Sequence, residues 1–138
     1  MPRPTARLAP VLAVLAAPVL AAPAVADPVG TFDVIGTNPG TSDEYRGTVT
    51  VTRSGEAYSV TWDIAGTRFD GTGLGGKVVD GSFLIGGASP EDIAVAVGYV
   101  VGDSFGIAMY FEGPDGAWEG VWTTGGGDTL ATERWVPR

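Results

Sequence analysis

Residues 44–66 read Glu44-Tyr45-Arg46-Gly47-Thr48-Val49-Thr50-Val51-Thr52-Arg53-Ser54-Gly55-Glu56-Ala57-Tyr58-Ser59-Val60-Thr61-Trp62-Asp63-Ile64-Ala65-Gly66. Tyr45, Gly47, Val49 and Val51 fall on one parity, with Arg46, Thr48, Thr50 and Thr52 on the other. Beyond Ser54-Gly55, Tyr58, Val60, Trp62 and Ile64 alternate with Ser59, Thr61 and Asp63. Successive side chains of a strand point to opposite faces, so this alternation around a glycine turn predicts a hairpin with one apolar and one wet face. Antiparallel sheets with a single buried side show this pattern. Trp62 is expected to be buried, packing across from Val49 or a neighbour.

The same reading extends along the chain. Further strands are predicted at Thr31 to Thr37, Arg68 to Leu74, Val78 to Ile85, Ile93 to Val101, Phe105 to Glu112, Ala117 to Thr124 and Leu130 to Val136. Pro39-Gly40, Asp80-Gly81, Gly102-Asp103 and Pro114-Asp115-Gly116 supply the fixed or positive φ that reversals need. Connections this short cannot make parallel crossovers, so the expected fold is all-β: a small antiparallel up-and-down barrel of about eight strands, which leaves no open edges. A two-sheet sandwich is the alternative. The Ile93 to Val101 run is apolar on both parities, and Ala94, Ala96 and Gly98 are expected to line a tight interior wall or a packed neighbour.

Ahead of this region, residues 1–26 read as a signal peptide. Arg3 and Arg7 form a positive start, Leu8 through Leu20 an apolar run, and Ala24-Val25-Ala26 a cleavage triplet that would leave Asp27 as the new terminus. One domain over residues 27–138 is then expected in the periplasm or outside the cell, with no membrane span in the mature chain.

Charge and composition restrict function. With Arg3 and Arg7 removed, six basic residues face sixteen acids, so nucleic acid and anionic membranes are poor partners. The chain has no cysteine and no histidine. Thiol chemistry, disulfides, the usual general base and the usual zinc ligand are thereby excluded, and the expectation is a protein without catalytic residues, metal or cofactor. Glu112, Asp115 and Glu119 flank one turn but lack the alternating oxygen ligands of a calcium loop. Gly125-Gly126-Gly127-Asp128 occurs once, as a hairpin loop would.

Aromatic side chains are the remaining candidates for recognition. Trp62, Tyr99, Tyr110 and Trp122 are the expected ligand-binding residues if the rings line a barrel mouth; otherwise they serve as core.

Six segments carry a resemblance: Gly36-Thr37-Asn38-Pro39, Tyr45-Arg46-Gly47-Thr48-Val49, Tyr58-Ser59-Val60-Thr61-Trp62, Phe69-Asp70-Gly71-Thr72-Gly73, Gly106-Ile107-Ala108-Met109-Tyr110 and Glu119-Gly120-Val121-Trp122-Thr123. In order and spacing they resemble small exported bacterial proteins labelled fibronectin-binding protein. That resemblance implies a non-enzymatic role in binding fibronectin or another extracellular or envelope protein. Gly86 to Asp92 is a longer connection than in that group, and Ala131-Thr132-Glu133 stands where a glycine is expected first. Gly30-Thr31-Phe32 resembles the opening Gly-x-Trp of avidin and lipocalin barrels, and that likeness implies that Arg134 covers the Phe32 ring and that a small-molecule ligand occupies the barrel mouth.

Overall fold

The computed structural model describes residues 26–138; the predicted signal peptide, apart from Ala26, lies outside the described residues. Nine strands follow one another: β1 (Gly30–Thr37), β2 (Glu44–Ser54), β3 (Ala57–Ile64), β4 (Thr67–Val79), β5 (Ser82–Gly86), β6 (Ala94–Val101), β7 (Ser104–Glu112), β8 (Trp118–Thr124) and β9 (Ala131–Pro137). Every pairing is antiparallel. The order β3-β2-β1-β9-β8-β7-β6-β4 is closed by pairing of β3 with β4, which makes an eight-stranded barrel with β5 attached outside it.

The period-two reading of the first hairpin holds. Val49 is paired with Trp62 and Val51 with Val60, all four buried, while Thr50 and Asp63 face outward. Two reversals use consecutive positive-φ residues, Ala65 (51°) with Gly66 (80°) and Asp80 (50°) with Gly81 (78°). Such turns match the twist of the strands they join.

Asp80-Gly81 also corrects one expectation. The run from Val78 to Ile85 is not a single strand: Val78 and Val79 end β4, and Ser82 opens β5. β4 reaches thirteen residues because Gly71, Gly73, Gly75 and Gly76 let it leave β3, run beside β6 and then continue to β5.

A second correction concerns β6. Its large residues Val95, Val97 and Tyr99 point inward, and the alternate positions Ala96, Gly98 and Val100 point to solvent. Of the small residues, Ala96 and Gly98 therefore lie outside, beside exposed Phe105, Ile107, Met109 and Phe111 of β7, and only Ala94 is buried. Two neighbouring strands thus present an outer surface free of charged side chains.

The barrel interior differs at its two ends. At one end Pro28, Tyr58, Asp92 and Trp118 are all fully buried. Asp92 Oδ2 accepts the Tyr58 hydroxyl at 2.6 Å and the Ser89 amide at 2.8 Å, in space left by the missing side chain of Gly75. A buried carboxylate requires such donors, and together these groups plug the barrel. The opposite end is rimmed by the β1–β2, β3–β4, β6–β7 and β8–β9 connections, and there the interior opens.

Candidate functional site

The site grows from the pairing of glycines with aromatics. Gly36 of β1 stands opposite Tyr45 of β2, Gly106 of β7 opposite Tyr99 of β6, and Gly120 of β8 opposite Tyr110 of β7. A Cβ at any of these glycines would collide with the ring of its partner. Each inward glycine therefore lets a large ring lie flat across the neighbouring strand, so that rings turn toward the barrel axis.

Two of these glycines serve a third group. Glu133 of β9 is paired with Gly36 on one side and Gly120 on the other, and it is only 6% exposed. The gaps let Tyr45 and Tyr110 reach across to its carboxylate. Oε1 accepts the Trp62 indole N–H at 2.8 Å, the Tyr110 hydroxyl at 2.8 Å and the Trp135 indole N–H at 2.6 Å, while the Tyr45 hydroxyl donates to Oε2. Among the described residues no Lys or Arg forms an ion pair with it; the seven ion pairs are all made elsewhere.

The phenols respond to this environment. Burial, and then the Glu133 charge, push the pKa values of Tyr45 and Tyr110 well above the ordinary phenol range. Tyr99 is raised by the same two causes. All three rings thus stay protonated donors across any neutral or mildly alkaline pH.

Above Glu133 lies a cavity of about 260 Å³ that opens at the unplugged end. Trp62, Tyr99, Tyr110 and Trp122, the four aromatic residues expected from sequence, all line it. Tyr45, Ile64 and Phe69 complete the walls, with Asn38 at the rim. Tyr99 donates to the Thr123 carbonyl at 3.2 Å. The Trp122 indole N–H, by contrast, is buried and has no hydrogen-bond partner among the described residues. That nitrogen is closed off from the cavity, so it offers no contact to an occupant, and the indole contributes its ring face alone.

Sequence reading did not single out Glu133. The available signal was parity: Ala131, Glu133 and Trp135 share one side of β9, and the other two are apolar, so a carboxylate among them had to face inward. The same parity places Arg134 outside. It pairs with Asp115 and Glu119 instead of covering Phe32, which corrects the expectation drawn from avidin and lipocalin barrels. Trp135 packs on Phe32 in its place, with ring centroids 5.9 Å apart.

Chemically, Glu133 is fixed from four directions, with three of its donors on one oxygen. It can stabilise positive charge in the cavity, and only Oε2 keeps an acceptor position. Compared with family models, curated proteins and solved structures, the chain matches none.

Proposed function

We propose that this protein is an exported, non-enzymatic binding protein that holds a small organic ligand in the open end of its barrel, in contact with Trp62, Tyr99, Tyr110 and Trp122. The observation that carries this reading is the cavity itself: aromatic walls with a buried carboxylate beneath them. Ligand sites combine apolar walls with a few placed polar groups, typically in about 300–1,000 Å³. At about 260 Å³ this one suits a ligand smaller than most drug molecules.

Export to the periplasm or beyond belongs to the proposal and rests on the leader sequence. Intact mass of the protein recovered from cells expressing the full chain should give a terminus at Asp27. Native mass spectrometry of protein from its own source should reveal a retained adduct. Titration with N-phenyl-1-naphthylamine, a neutral dye that fluoresces in apolar sites, should show saturable uptake that is lost in Ile64→Trp, where a larger ring obstructs the mouth. Uptake undiminished by that substitution would move the site elsewhere.

A second reading, binding of fibronectin or another extracellular protein, is favoured by the uncharged outer surface of β6 and β7, where Ile107 is 64% exposed. Fibronectin capture abolished by Ile107→Lys and unaffected by Ile64→Trp would place function on that outer wall.

A further inference from the structure

The lone pairs and the charge of Glu133 restrict what the cavity can hold in different ways. A carboxylate offers about four acceptor positions. Glu133 already accepts four donors from its own chain: Tyr45, Trp62, Tyr110 and Trp135. Its negative charge, however, is matched by no Lys or Arg among the described residues. Three of the four fall on Oε1, so Oε2 keeps one position at most, and the group attracts a cation chiefly through space while able to meet only one N–H.

This distinguishes among cations. A primary ammonium brings three donors, and each one left unmet in a desolvated site disfavours binding. Much of the remaining lining is aliphatic or aromatic, Ile64 and Phe69 among it. A quaternary ammonium brings no donors at all. Its charge is spread over methyl groups that suit apolar walls.

Ring geometry points the same way. Trp62 and Tyr99 have centroids 6.0 Å apart at 64°, Tyr99 and Trp122 6.3 Å at 72°, and Trp122 and Tyr45 6.2 Å at 67°. Successive rings stand steeply to one another, as adjoining walls of a box do. A box of electron-rich rings attracts an alkylated cation through the ring quadrupoles.

We propose that the cavity binds a quaternary ammonium compound, its cationic head among Tyr45, Trp62, Tyr99 and Trp122 over Glu133. This rests on the reading of the barrel mouth as a ligand site.

The test compares three probes on protein recovered from cells expressing the full chain, by calorimetric titration at fixed ionic strength. Choline is the quaternary cation. 3,3-Dimethylbutan-1-ol has the same shape with carbon in place of nitrogen, and ethanolamine is the primary amine. Choline should bind at least tenfold more tightly than either. An advantage below threefold over the neutral alcohol would overturn the cation, and one below threefold over ethanolamine would overturn the quaternary class. In Glu133→Gln the advantage over the alcohol should fall below threefold, and a tenfold advantage retained there would overturn the role of the carboxylate. If that variant fails to fold by circular dichroism, the wild-type comparison still decides the cation, and Trp122→Leu should weaken choline at least threefold by removing one ring of the box, an unchanged affinity overturning that contact. Should all three probes fail while N-phenyl-1-naphthylamine enters and Ile64→Trp blocks it, the ligand class is wrong and the site stands. Failure of the dye as well would remove the site.

Discussion

Replacing Glu133 by leucine should destabilise the barrel more than replacing it by glutamine, because the carboxylate satisfies donors that water cannot reach. Trp135 and Tyr110 are 0% and 1% exposed, and Trp62 is 4% exposed. Leucine fills similar volume but leaves all three donors without an acceptor, at about 1–3 kcal/mol each. Tyr45 is half-buried at the cavity wall, and its hydroxyl can turn to solvent. Against this stands the relief of desolvating an unpaired carboxylate, which is worth several kcal/mol. The balance is a loss of about 3 kcal/mol for Glu133→Leu. Glu133→Gln keeps one acceptor oxygen for the donors now shared by Oε1, so its loss should be about 1 kcal/mol. Urea unfolding followed by tryptophan fluorescence reads the difference. With slopes of about 1–3 kcal/mol per molar urea, the leucine midpoint should fall by about 1 M or more. Equal midpoints for wild type and Glu133→Leu, or leucine above glutamine, would refute the argument that these donors depend on the carboxylate.

Three further outcomes follow from the same geometry. Gly120→Ala forces a methyl group against the Tyr110 ring and the Met109 carbonyl and should cost about 1–3 kcal/mol, whereas Gly98→Ala, with open space around its outward Cβ, should stay within about 0.5 kcal/mol by the same urea measurement. All four tyrosines, Tyr45, Tyr58, Tyr99 and Tyr110, have pKa values raised chiefly by burial, so the folded state favours their protonated form. Their contribution to stability is complete below the ordinary phenol pKa of about 10 and declines as pH rises above it; phenolate absorbance near 295 nm should therefore appear together with unfolding, and a separate rise at pH 10 in folded protein would contradict the burial. Ala65 holds a φ of 51° that L side chains other than Asn and Asp rarely adopt, so Ala65→Asn should raise stability by about 0.5–1 kcal/mol in thermal denaturation, and a loss would show that the turn is unstrained.

How much of this was readable beforehand depended on whether a feature is local. The β2–β3 hairpin declares itself because its parity alternates without interruption and its turn lies inside the same window. Turn spacing and strand number favoured a barrel but left a two-sheet sandwich open, because closure depends on the pairing of β3 with β4. By contrast, the pairing of Gly36, Gly106 and Gly120 with the rings they accommodate requires register across strands, which no single segment contains. Trp62, Tyr99, Tyr110 and Trp122 could be named as rings but not as neighbours, since Trp62 and Trp122 come from opposite halves of the described chain. Glu133 was hidden for a different reason: surrounded by Thr132 and Arg134, it reads as part of a polar surface until β9 is known to face inward with Trp135. The small residues of β6 misled in the opposite sense, because size alone does not tell an interior wall from an outer one.

The Asp92 plug has a consequence for traffic. With one end of the barrel sealed by Tyr58, Ser89 and Asp92, arrival and departure share a single doorway at the rim formed by Asn38 and its neighbouring loops. An occupant must leave before a successor enters, so exchange cannot be hastened by pressure from behind, and nothing passes from one end to the other. Under the proposed ligand reading, such a vessel would hold one molecule at a time. It is unsuited to serving as a conduit.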